Sequence, residues 1–181
     1  MLKGERLVLR PLRIEDMDVF SAWRNNLQLI KMTQGIRYPK SKEMEHDWYY
    51  ELARDKSNRR VMFGVETIRE QEFIGVIQLY DIDYISGTCK WCFIIGDERN
   101  QGKGYGTEAP HILFDYAFNV LNLRKISTFS IAINQATARM KDKLGGFKQE
   151  GLMKDHVYFD GKYHDVVIMA LFRDDYYKSL G

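Results

Sequence analysis

The sequence predicts a mixed α/β domain, and three observations carry the prediction. Apolar residues recur at helical spacing in two early segments and again after residue 105. Between them lie β-rich runs joined by short polar connections. A glycine-rich string then links the last of those runs to a helix. At 181 residues the chain is long enough for one domain with a substantial core, and one domain over residues 1–181 is expected.

RLVLR (6–10) reads as a short alternating strand. IEDMDVFSAWRNN follows, with acids early and Met17, Phe20 and Trp23 at helical spacing, which predicts a helix. A second helix is expected after Ser41 as N-cap, with Glu43 and Glu45 in its first turn and Met44, Trp48 and Leu52 on one face. VMFGVET (61–67), FIGVIQLYDI (73–82) and TCKWCFII (88–95) are separated by the short polar connections REQE and DYISG, so an antiparallel meander is expected. The helix after the glycines should bury Ala109, Ile112, Leu113, Tyr116, Ala117, Val120 and Leu121. KISTFSIAI (125–133) is the next strand, and the intervening helix lets it run parallel to its predecessor. ATARMKDKL gives a short helix closed by Gly145 and Gly146. FKQEGLMKDHVYF and YHDVVIMALF flank Asp160-Gly161, a hairpin signal.

Composition narrows the function classes. Lys plus Arg (27) against Asp plus Glu (25) gives a net charge of +2, without the basic excess of a nucleic-acid binder. No apolar run approaches the ~20 residues that span a bilayer, and the N-terminus lacks the apolar core of a secretory signal. A cytoplasmic protein without membrane or nucleic-acid partners is expected, as a monomer or homodimer. The two cysteines, Cys89 and Cys92, have CxxC spacing, but on a strand residues three apart point to opposite faces. With no second CxxC or HxxxH to complete a tetrahedral site, no metal is expected.

A glycine-rich turn between strand and helix exposes backbone N–H groups beside the positive end of the helix dipole, an anion site. No GxxxxGK[ST] string exists, which removes a P-loop. Gly104-Tyr105-Gly106-Thr107-Glu108-Ala109 formally satisfies GxGxx(G/A). A dinucleotide fold, however, places that loop after the first strand of a βαβ unit and an acid at the end of the next strand, where Asn134 stands. QGKGYG (101–106) fits the Q/R-x-x-G-x-G/A pyrophosphate loop of the GNAT superfamily of N-acetyltransferases. RLVLRPL, IGVIQL, GYGTEA and LGGFKQEG agree in the same order, over roughly residues 5–173. Within the superfamily the chain resembles the branch of ribosomal-protein N-terminal, polyamine and amino-sugar acetyltransferases.

The resemblance implies a GNAT-like acyl-CoA N-acyltransferase fold: a mostly antiparallel sheet, a parallel pair splayed around CoA, and helices on both faces. It implies acetyl-CoA as donor and direct attack of an amine on the thioester. Gln101, Gly102, Lys103, Gly104, Tyr105, Gly106 and Thr107 would hold the pyrophosphate, and Phe93, Ile94 and Ile95 the pantetheine arm. Asn134 would hydrogen-bond the arm, and an N–H at the strand end would stabilise the oxyanion. The chain departs from the family at Lys141, where a tyrosine is usual, and at Lys90, where a glutamate is frequent. Lys141 is kept among the candidate catalytic residues and is otherwise read as a CoA-phosphate contact or a solvated helix residue. A thiol of pKa about 8.5 leaving at pH 7 costs only about 2 kcal/mol more as thiolate, so a general acid is dispensable. For the base, Asp83, His156 and Asp165 are candidates, His having the best-matched pKa. Trp23, Arg24, Asn25 and Asn26 would touch the acceptor, and an arginine with two amides suits a phosphate or sugar hydroxyl. That favours an amino-sugar nucleotide over a polyamine, which would want clustered carboxylates; a peptide N-terminus is a further alternative. Lys90 and Lys141 also motivate a non-enzymatic reading, a domain that binds CoA or a partner without turnover.

Overall fold

A computed structural model describes residues 1–30 and 38–181. One eight-stranded sheet runs in the order β1-β2-β3-β4-β5-β6-β8-β7. The strands are β1 (Leu2–Lys3), β2 (Leu7–Arg10), β3 (Val61–Thr67), β4 (Phe73–Asp83), β5 (Thr88–Ile95), β6 (Lys125–Ile131), β7 (Lys148–Phe159) and β8 (Lys162–Phe172). The helices are α1 (Asp16–Arg24), α2 (Leu27–Ile30), α3 (Lys42–Arg54), α4 (Tyr105–Asp115), α5 (Gln135–Leu144) and α6 (Arg173–Leu180). The expected meander is present, β3, β4 and β5 being antiparallel neighbours. The expected parallel pair is β5 and β6, joined by α4. Strand β1, helix α2 and helix α6 carry too few periodic residues to have been read from the sequence.

Alternation along the strands sends residues to two apolar layers. On one face Leu9, Val65, Leu79, Trp91 and Ile126 join Leu113, Phe114 and Phe118 of the α4 segment, Leu144 of α5 and Tyr176 of α6. On the other, Val76 meets Met17 and Phe20 of α1, with Trp23, Trp48 and Phe73 around them. A third cluster of Ile131, Phe159 and Val166 underlies the β7–β8 hairpin. Fully burying such a side chain contributes about 1.5–3 kcal/mol, so the two faces supply most of the driving force. A π-helical turn over Tyr116–Val120 follows α4. The extra residue in that turn takes Val120 into solvent and Phe118 into the core, against the expected burial of Val120. The two cysteines part as strand geometry requires: Cys89 is in the core, and Cys92 accepts from Gln78 Nε2 at 3.0 Å on the opposite face.

One buried ionic cluster fixes the N-terminal strand against α1 and β3. Arg10, 2% exposed, donates through both terminal nitrogens to Asp16, at 2.7 and 2.8 Å, and through Nε to Glu66 at 2.5 Å. Asp16 Oδ2 also accepts from the Arg13 amide at 2.8 Å, closing the first turn of α1. Removing one member of such a buried set leaves an uncompensated charge, at about 3–5 kcal/mol. Arg10→Met should therefore lower the urea-unfolding free energy by about that amount at neutral pH, because the buried Asp16 loses its cation and Glu66 keeps only the more distant Arg13, at 3.6 Å. A change under about 1 kcal/mol would show that water reaches the cluster.

Candidate functional site

Register produces the cleft. Strands β5 and β6 pair from Thr88↔Lys125 to Lys90↔Ser127, and no pair is made beyond. On its other edge β5 stays bonded to β4 as far as Gly75↔Ile95. The β6-facing backbone groups of Trp91 to Ile95, with Phe93, Ile94 and Ile95 among them, therefore open into a gap. The gap is part of an open cleft of about 1220 Å³ whose walls include Phe93, Ile94, Ile95, Thr128, Ser130 and Asn134. Asn134 caps α5, its Oδ1 accepting from the Thr137 amide at 3.1 Å, so this side chain is engaged with its own helix.

The glycine loop closes one end. Gln101, Gly102, Gly104, Gly106 and Thr107 line the cleft, whereas Lys103 and Tyr105 do not. Lys103 Nζ instead donates to Asn100 Oδ1 at 3.1 Å, and the Arg6 guanidinium stands 5.2 Å from the Tyr105 ring centre. Gly104, at φ +87°, is the left-handed N-cap of α4, a conformation that disfavours a side chain. The ladder of α4 begins with the Thr107 and Glu108 amides donating to the Gly104 carbonyl, so the Tyr105 and Gly106 amides precede it. A clamp sets the loop's attitude. Glu108 accepts from the Arg6 and Leu7 amides at 2.7 and 3.0 Å and from Arg6 Nε at 2.8 Å, while Arg6 NH1 donates to the Lys103 carbonyl at 2.8 Å. Neither Arg6 nor Glu108 was singled out in the sequence, because their contact spans 102 residues.

The opposite end is formed by α1, α3 and the floor of β4 and β5. Phe20, Arg24, Asn26, Trp48, Arg60, Gln78, Tyr80 and Lys90 line it. Arg24 donates to Glu45 Oε2 at 2.9 Å and lies over the Phe20 and Trp48 rings, at 5.5 and 5.1 Å from their centres. Glu45 is 1% exposed and its Oε1 has no partner among the described residues, and this acid of the first turn of α3 also anchors Arg24. Lys90 donates to Asp81 at 2.9 Å and stands over Phe129. Two of the expected acceptor contacts are absent from the walls. Trp23 stacks on Phe73 at 5.0 Å and fills the space over Gly96, where a Cβ would overlap its ring. Asn25 ties the chain at Lys40, accepting from its amide at 2.8 Å and donating to its carbonyl at 2.9 Å. Asn26 reaches the cleft but spends its oxygen on the Gln28 and Leu29 amides.

The three candidate bases separate. His156 lies on the cleft wall, at a break in the β7–β8 register between Met153 and Val157. Asp165 lies outside the cleft walls and accepts from the Asp155 amide at 2.9 Å, which pins that irregularity. The Asp155 hydrogen bond and the nearby Lys154 hold its carboxyl below the usual range. Asp83 closes the β4–β5 turn, accepting from the Ile85 and Ser86 amides and the Ser86 hydroxyl at 2.9, 3.0 and 2.7 Å. Those Ser86 bonds lower its pKa as well, and a firmly ionised, occupied carboxylate is a poor proton acceptor. Lys141 contradicts both of its expected placements. It is 3% exposed, neither on a solvated face nor on the cleft wall, and its Nζ donates to Ser130 Oγ at 2.7 Å. Among the described residues no cluster of metal-binding side chains is found, and no helix is long and apolar enough to cross a membrane.

A Cβ built on Gly106 meets nothing within 4 Å, and the residue sits in the first turn of α4. Gly106→Val should fold normally while raising the KM for acetyl-CoA at least tenfold, since its branches project where phosphate oxygens approach. A wild-type KM in a folded variant would remove the pyrophosphate from this loop.

Comparison with known proteins agrees with this geometry. Residues 6–146 match the acetyltransferase (GNAT) domain family. The spermidine N(1)-acetyltransferase of Escherichia coli (strain K12) is 31% identical over 97% of this chain and 91% of its own length. The probable N-acetyltransferase YjcK of Bacillus subtilis (strain 168) is 28% identical over 97% of this chain and 98% of its own. The crystal structure of the Vibrio cholerae spermidine N-acetyltransferase, in complex with CoA and spermine, superposes with a TM-score of 0.87. It is 26% identical, over 96% of this chain and 99% of that one. A dodecameric structure of the same Vibrio enzyme superposes at 0.82, with 26% identity over 98% of this chain and 100% of that one. The chain belongs to the GNAT family and is an acetyl-CoA-dependent N-acetyltransferase.

Proposed function

We propose that the acceptor is the primary amine of a small molecule bearing anionic groups, an amino-sugar nucleotide being the class that fits best. The charge of the cleft carries this reading. Its acceptor end has Arg24, Arg60 and Lys90 on its walls, and the one carboxylate among the described lining residues, Glu98, stands beside the glycine loop. Like charges 8 Å apart repel by about 2 kcal/mol at an effective dielectric of 20, so a polycation is penalised here. Phe20, Trp48 and Tyr80 add flat apolar surface beside the cations, which suits a sugar ring or base.

In this reading the amine attacks the acetyl carbonyl directly. An N–H at the end of β5 meets the developing oxyanion, and His156 receives the amine's proton, directly or through water. His156→Ala should lower kcat at pH 7 by about a hundredfold with the acetyl-CoA KM unchanged. A loss under threefold would leave bulk water as the acceptor.

A second reading, polyamine acetylation, is favoured by the relatives whose names and ligands are spermidine and spermine. Thiol release from acetyl-CoA over UDP- and dTDP-amino sugars, spermidine and peptides separates the two. The first reading expects kcat/KM highest for a nucleotide amino sugar. Arg60→Ala makes the readings oppose in sign: the acceptor KM should rise about tenfold for an anionic acceptor and fall for a polyamine. Spermidine preferred over every anionic amine, with a KM lowered by Arg60→Ala, would overturn the proposal. The dodecameric structure of the Vibrio enzyme goes beyond the monomer or homodimer expected from the sequence, and light scattering at working concentration decides the assembly.

A further inference from the structure

Among the described residues Lys141 is a buried amine without a carboxylate partner, which stability alone does not explain. Its side chain is almost inaccessible, and its ammonium touches Ser130 Oγ at 2.7 Å and the Met169 sulfur at 3.5 Å. Burying an ammonium that is not ion-paired is costly, and a methionine or leucine would occupy the site without that cost. Ser130 gives the placement its meaning. It lies three residues past Ser127, the last β6 residue paired with β5, and it lines the cleft where β5 offers Phe93 to Ile95. The Ser130 hydroxyl thus stands between the buried amine and the open gap.

We propose that Lys141 is the proton source for the departing CoA thiolate, delivering through the Ser130 hydroxyl. The amine nitrogen of the acceptor bonds to the acetyl carbon, and the carbonyl electron pair moves to oxygen. The adduct's ammonium proton leaves to His156 or water. The oxygen pair then re-forms the carbonyl as the C–S bond breaks, sulfur keeping the bonding pair. Sulfur takes the proton of Ser130 Oγ, and Oγ takes one from Lys141 Nζ. The neutral amine regains a proton from solvent when the product thiol has gone.

The thermodynamics of that relay are near balance. An unperturbed lysine would protonate a thiolate with an equilibrium about a hundredfold against it, from pKa values of about 10.4 and 8.5. Burial lowers Lys141 to about 8, close to the thiol it would serve. Burial is the cause of that shift; the charged and titratable groups on the elements around it are Arg139, Asp142 and Lys143 on its own helix, Glu108, His111 and Asp115 on α4, Lys125 on β6 and Asp165 on β8. The inference rests on acetyl transfer itself and holds for any acceptor amine.

The test combines rates with a direct titration. With the best acceptor of the amine panel, wild-type kcat should fall as pH rises through about 8, because neutral Lys141 has no proton to give. Lys141→Met should lower kcat at pH 7 at least tenfold, remove that alkaline fall, and leave the acetyl-CoA KM within twofold. Ser130→Ala, a small change that keeps the lysine, should do the same. NMR of ε-13C-labelled lysine should show one resonance, absent from Lys141→Met, that titrates near 8 and persists in Ser130→Ala. Lys141→Arg keeps the charge without a releasable proton and should match Lys141→Met in rate. A kcat within twofold of wild type in Ser130→Ala, or an alkaline fall retained in Lys141→Met, would overturn the relay. So would an ε-carbon resonance titrating near 10.

Discussion

The end of pairing between β5 and β6 is the constraint on which the molecule's chemistry depends. A strand in mid-sheet ordinarily satisfies both backbone edges, and a buried unpaired N–H or C=O costs as much as a lost hydrogen bond. Here β5 remains tied to β4 along its length but loses β6 after Lys90. The exposed edge is tolerable only where water or a ligand supplies partners. Everything around it serves that opening: α4 reaches it with its N-terminal loop, α5 flanks it, and the β7–β8 hairpin brings His156 to its rim.

Three ionic devices hold the fold around the cleft, and they work differently. The Arg10 cluster is enclosed and ties β2 to α1 and β3. The Arg6–Glu108 clamp is half-exposed, with Arg6 51% accessible at its side chain, and adds little stability through charge alone. Its value is positional, since the same guanidinium holds the Lys103 carbonyl and so turns the loop's amides toward the cleft. The Arg24–Glu45 pair belongs to a third kind: a buried carboxylate fixes a cation on the cleft wall. The chain thereby presents positive charge at a rigid place rather than on a free side chain.

Several sequence signals proved reliable because their physics is local. The alternation of RLVLR, the helical spacing of Met17 and Phe20, the Asp160-Gly161 turn and the Ser41 cap each act over a few residues. The cap is seen directly, with Ser41 Oγ accepting from the Met44 amide. QGKGYG could be read for the same reason, since a left-handed Gly104 and a helix start are properties of the string itself. The side-chain roles fared unevenly. Asp83 and Asp165 were plausible bases by residue type, yet each is consumed by neighbouring backbone amides, which no spacing announces.

By itself the sequence determined the types and order of the main elements, the glycine-rich loop before α4 and the family, because backbone propensities and turn chemistry act at short range. The tertiary structure alone decided which polar groups share the cleft. Arg24 meets a glutamate 21 positions away, and Arg6 meets Glu108 across 102 positions. Lys141 is buried because α5 packs its side chain against β6 and β8, where a polar helical pattern had suggested solvent. Protonation and charge compensation depend on such through-space neighbours and on exclusion of water, and neither is encoded by position along the chain.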